Sequence, residues 1–166
     1  MRSLPRYLAR GPHSGAGIVR FAASVAFAAG GLLVVWSAYI HFHLWVEADG
    51  YRHISVIGPL FLLQAIGGLV VGILVVAVRR VWTAIAGIGF AVATAVGFLL
   101  TVGLAKGLFN FKESWSAPFA HLAFAVEMAT VVVLLLAGAL SLAGSGPTEG
   151  VRINSGVDRR KDRPLV

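Results

Sequence analysis

Residues 54–105 read ISVIGPLFLLQAIGGLVVGILVVAV, then Arg79-Arg80, then VWTAIAGIGFAVATAVGFLLTVGLA. Two apolar runs, 54–78 and 81–105, are separated by two arginines and nothing else. Each exceeds the ~20 residues that an α-helix needs to cross a hydrocarbon core about 30 Å thick. A two-residue connection allows only a tight antiparallel hairpin. Working outward, a run at 19–40 precedes the hairpin and one at 118–143 follows it. The expected fold is therefore all-α: a four-transmembrane-helix antiparallel bundle occupying 18–143. A basic tail, 1–17, precedes it, and a polar, basic, disordered tail, 144–166, follows the helix-breaking Gly144-Ser145-Gly146-Pro147.

Composition agrees. The 166 residues are 58% hydrophobic and 13% charged, with a mean hydropathy of +0.85, whereas soluble domains carry about 25% charged residues. Four spans use nearly the whole chain, which leaves no room for a second domain. Cysteine is absent. That excludes disulfides, thiol nucleophiles and cysteine-ligated metal or iron–sulfur centres. The first run is longer than the 7–15 residues of a signal-peptide core, and its Ala26-Phe27-Ala28 lies mid-run, so it reads as a retained helix.

The net charge of +7 is distributed by side. Arg2, Arg6 and Arg10 precede the first run, and Arg20 stands at its start. Arg79 and Arg80 form the hairpin turn. Arg152, Arg159, Arg160, Lys161 and Arg163 follow the last run. Four crossings place all of these on one side, against Arg52, Lys106 and Lys112 on the other. The positive-inside rule then makes both termini cytoplasmic and the location the cell's inner membrane. The basic tails suit anionic lipid headgroups. Nucleic acid is not an expected partner, because no aromatic-interleaved basic surface accompanies the charge.

Two sets of polar residues call for explanation. Glu127 lies nine residues past Pro118, about 13 Å along a helix, close to the bilayer centre. An acid there is costly, about 3 kcal/mol on insertion scales, and marks a functional site by default. Gln64 has nearly the same depth on the second run, so a Gln64–Glu127 hydrogen bond is expected. Ser37 and Thr94 extend a polar track from the pair toward the outer face, where His121 begins the last run. The competing reading is that these side chains only hold helices together. The second set is His41, His43, His53 and His121, near Glu47 and Asp49. Imidazoles suit zinc or copper, and His41, His53 and His121 are the candidate ligands for a metal or a haem. The spacing of His41 and His43 prevents them from sharing one helix face.

Five aromatic residues, Trp45, Tyr51, Phe109, Phe111 and Trp115, fall in the two outer loops. An interfacial belt accounts for them; a lid over an outward-facing cavity is the alternative. Small residues recur at four-residue spacing: Ala22, Ala26 and Gly30; Gly68 and Gly72; Gly89, Ala93 and Gly97; Ala125 and Ala129. Such stripes allow helices to approach closely, within one chain or between copies.

The segments 40–44, 50–54, 57–65 and 107–113 together resemble a group of small, uncharacterised four-helix inner-membrane proteins of high-GC bacteria. The resemblance covers about a third of the chain. It implies a four-helix membrane protein and no particular activity.

No phosphate loop or nucleophile motif is present, and the sequence leans away from an enzyme. The leading reading is a non-enzymatic multi-pass protein with an intramembrane polar pocket around Glu127 and Gln64 for a small ligand, a lipid or a proton. One alternative is a structural or accessory subunit of a larger membrane complex, or a homo-oligomer. The other is a metal- or haem-binding protein that uses the outer histidines.

Overall fold

The computed structural model of the protein describes residues 17–47 and 50–144. The expected tails, apart from Gly17 and Gly144, and Asp49 lie outside the described residues. Four α-helices follow one another: α1 Gly17–Val46, α2 Ile57–Val78, α3 Val81–Gly103 and α4 Ala120–Ala143, with a 3-10 turn Tyr51–His53 before α2. All four are long and apolar enough to cross a membrane. Large apolar side chains such as Leu32, Leu63, Ile85 and Val132 stand exposed along them, as lipid-facing surfaces require.

The helix boundaries differ from the expected ones for local reasons. α1 continues six residues past Ile40, because no Gly or Pro interrupts it. His43 also pairs with Glu47 one turn on, at 3.1 Å. His41 and His43 therefore belong to a helix rather than to a loop. α2 starts at Ile57, three residues later than expected, with Pro59 in its first turn, where its missing N–H costs little. α3 stops at Gly103, and α4 starts at Ala120 after Phe119 in a left-handed conformation, φ 62°. Between α2 and α3 only Arg79 and Arg80 intervene, and Arg79 takes φ 50° to reverse the chain.

Around the bundle α1 packs extensively on α2 and on α4, α3 packs on α4, and α2 shares only a small interface with α3. Among the described residues no Cα of α2 lies within 8 Å of one in α4, and the two meet only through side chains such as Val75 and Leu134 in the core. They occupy opposite corners.

The half of the bundle nearer Arg79 is sealed. Phe27, Val75 and Leu134 are all 0% exposed, and Ala26, Val34, Ala84 and Ala137 complete their cluster. Glycine makes this packing possible. A Cβ on Gly31 would stand 2.8 Å from the Gly72 carbonyl oxygen, and one on Gly72 2.8 Å from the Gly31 carbonyl oxygen. Lipid supplies no hydrophobic drive for helices to associate, so such approach supplies it through dispersion.

The stripe expected on α3 is not the one that packs. Gly89 and Gly97 face open space, and Ala93 is exposed. Ala84, Gly87, Ala91 and Ala95 are buried instead. On α4 Ala125 is exposed, and the buried face carries Glu127, Thr130 and Leu134. Helices this rich in Ala and Gly carry several small-residue stripes, and neighbours decide which one is used.

Candidate functional site: a polar-tipped apolar cavity

In the other half of the bundle the helices part around a cavity of about 580 Å³. α2 contributes Phe61 and Gln64, α3 contributes Phe90, Thr94 and Phe98, and α4 contributes Phe124 and Glu127. The connection between α3 and α4 closes one end with Phe111 and Glu113, and His41 and Tyr51 add the α1 side. The wall is mostly apolar and aromatic, with a few polar groups at fixed places.

Each polar group is held by an adjacent helix. Glu127 is 2% exposed and Ser37 0%, and the Ser37 hydroxyl donates to Glu127 Oε1. Among the described residues this is the one hydrogen bond that Glu127 makes, and Oε2 has none. Gln64 Nε2 donates to Thr94 Oγ1, and Thr94 donates onward to the Phe90 carbonyl at 2.9 Å.

The expected Gln64–Glu127 bond is therefore not formed. The two residues have matching depth, but α2 and α4 are diagonal in the bundle, so each finds its partner on a neighbour instead. Both line the same cavity. Ser37 stands behind Glu127 and outside the lining, and Thr94 lies in the wall beside Gln64.

The histidines do not come together. His41 lines the cavity and donates Nδ1–H to the Ser37 carbonyl at 2.9 Å. His53 is exposed and accepts from Arg52 Nε at 2.9 Å. His121 lies outside the cavity, stacked on Trp115 with ring centroids 5.4 Å apart. Among the described residues no group of three His, Asp or Glu side chains is placed to hold a metal ion. The trio His41, His53 and His121 is thus dispersed over α1, the 3-10 turn and α4.

Several loop aromatics turn inward. Tyr51 stacks on Phe61, with centroids 4.3 Å apart, and meets Phe111 edge-on at 5.7 Å. Its hydroxyl donates to Glu113 Oε2 at 2.5 Å, which ties the two loops together over the cavity. Burial, helped by the adjacent Glu113 carboxylate, raises the Tyr51 pKa above its ordinary value. The phenol therefore stays a donor. Trp115 packs against Phe98 and Phe124.

The α3–α4 connection is shaped by a short reversal in which Leu108 and Phe111 exchange backbone hydrogen bonds of 2.9 and 3.0 Å. Phe109 and Asn110 both take positive φ there, 54° and 61°, as the primed hairpin turns require. Gly107 sits at φ 68°, and a Cβ on it would lie 1.9 Å from the Phe111 carbonyl oxygen. Only glycine fits this position. The Tyr51–Glu113 tie and this turn escaped sequence reasoning. The loop aromatics were the signal available for them.

The chain matches no family model, no curated protein and no solved structure. The likeness to small bacterial four-helix proteins noted above lends no residue a role.

Proposed function

We propose that the protein is a non-enzymatic, multi-pass protein of the bacterial inner membrane that holds a small, largely apolar ligand in the cavity beside Glu127 and Gln64. The observation that carries this reading is the cavity itself. Its volume of about 580 Å³ lies in the 300–1,000 Å³ range of small-molecule sites, and a greasy wall with a few placed polar groups is their usual construction. Packing glue alone would place Glu127 in a filled interior with both oxygens engaged. Instead one oxygen lacks a partner among the described residues, and Glu127 borders the cavity.

In this reading the helices run antiparallel, consistent with Gly31 against Gly72 and Ala38 against Gly68. The Arg79-Arg80 turn lies on the cytoplasmic side with both termini, following the basic-residue count. The cavity then opens in the outer half of the membrane, under the loops joined by Tyr51 and Glu113.

The test is native mass spectrometry of the protein released from its own membranes in mild detergent. A bound amphiphile of one per chain is expected on the wild type, and its loss is expected in Ala93→Trp, which fills the cavity wall. Identical adduct patterns in the two proteins would overturn the reading.

A further inference from the structure

The chemistry of the cavity wall goes further than its size. Among the described residues it contains two carboxyl groups, Glu127 and Glu113, and no lysine or arginine. Glu113 is already engaged, accepting from Tyr51 at 2.5 Å and from the Ser114 amide at 2.9 Å. Glu127 is not: one oxygen takes the Ser37 hydroxyl and the other has no partner among the described residues. His41, the one basic side chain in the wall among the described residues, commits Nδ1 to the Ser37 carbonyl. An acidic group 2% exposed within apolar helices is costly without a counter-charge, and the described residues offer none beside it. The remaining wall is rich in rings, with Phe61, Phe90, Phe98 and Phe124 all on the lining. Ring faces attract cations, and more strongly where water is excluded. Leu63 and Ala93 line the cavity and are exposed, and α2 shares only a small interface with α3, so the space reaches the surface between these two helices.

We infer that the cavity selects a hydrophobic organic cation, an alkyl- or aryl-substituted ammonium, which enters from the bilayer and sets its positive centre against Glu127 and its apolar body against the phenylalanines. This rests on the pocket reading above and adds the charge of the occupant. An anion meets repulsion from Glu127 and no basic partner. A bare metal ion lacks a ligand set. A zwitterion would leave its carboxylate unpaired in an apolar wall. Lipids whose only charge is an ammonium group and free amphipathic amines share the recognised chemistry.

The test uses two probes of one shape and opposite charge, tetraphenylphosphonium and tetraphenylborate, in equilibrium dialysis against the full chain in dodecyl maltoside. The phosphonium is expected to bind saturably at one per chain and the borate not to saturate. Glu127→Gln is expected to weaken the phosphonium at least tenfold. Borate binding equal to phosphonium, or a Glu127→Gln protein with unchanged affinity, overturns the inference. Should the variant aggregate, the probe pair on the unaltered chain still decides.

A third arm separates this inference from the pocket reading. The chain has no cysteine, so Thr94→Cys can be probed with N-ethylmaleimide against the buried control Ala84→Cys. Rapid alkylation at position 94 without phosphonium binding refutes the cation and keeps the pocket. Slow alkylation at both positions with no binding refutes both. An amine lipid found on the purified protein, displaced by phosphonium, would identify the bilayer as the source. A lipid-free protein that still binds phosphonium would point to a free amine.

Discussion

The two halves of this bundle are built from the same residue types and solve different problems. Toward Arg79, Leu134 fills the space that Gly30 and Gly87 leave open, and a Cβ on either would fall within 2.7 Å of its side chain. Toward the loops, the corresponding space between α2, α3 and α4 is left as a cavity rimmed with phenylalanine. The difference is not hydrophobicity, which is uniformly high, but the size of the side chains brought together. Small residues facing one large aliphatic make a tight interior. In the open half the lining rings leave the space unfilled, and two polar pairs, Ser37–Glu127 and Gln64–Thr94, tie α1 to α4 and α2 to α3 beside it. A bundle can thus be sealed at one end and open at the other without a change of fold.

The contrast breaks most visibly at Leu134. Leu134→Ala leaves a void in the sealed half and is expected to cost about 2–5 kcal/mol, read as a lower unfolding midpoint in detergent. A change of equal kind in the open half sharpens the comparison. Ala84→Phe overpacks the sealed core, where Ala84 is 1% exposed, and is expected to cost about 1–3 kcal/mol. Ala93→Phe projects into cavity and lipid and is expected to stay within about 0.5 kcal/mol of the parent.

The loop tie over the cavity is worth less. Tyr51→Phe removes its hydrogen bond to Glu113 and is expected to cost about 1 kcal/mol. Its sign with pH is fixed. The folded chain holds the Tyr51 proton more tightly than the unfolded chain, so its contribution is full below the ordinary phenol pKa of 10.0 and is lost as pH rises above it. Ultraviolet titration of the folded protein should lose its latest tyrosine step in Tyr51→Phe. At the open α3 stripe the expected effect has the opposite sign. Gly89→Ala meets nothing within 4 Å and should stabilise the protein slightly, by up to about 1 kcal/mol from helix propensity. A large loss there would show that this face packs against something.

Much of the architecture was legible beforehand. Four runs long enough to span, a two-arginine turn and a mid-run glutamate are properties of the chain alone, because apolar length and depth are counted along the sequence. Glu127, Gln64 and Thr94 were singled out by that count, and all three line the cavity. Their partners were not legible. Equal depth joined Gln64 to Glu127 on paper, yet depth is one coordinate of three. His41, His53 and His121 share an end of the molecule for the same reason, and they still face different surroundings.

By itself, the sequence determined that this protein is four apolar helices with one acid sheltered among them, since each helix's length and polarity are local properties. Which helices are neighbours, which of several small-residue stripes packs, and that a cavity survives beside Glu127 were decided only in three dimensions. A helix with apolar residues on every face carries no mark of the side that will be covered. That choice belongs to the fit between surfaces.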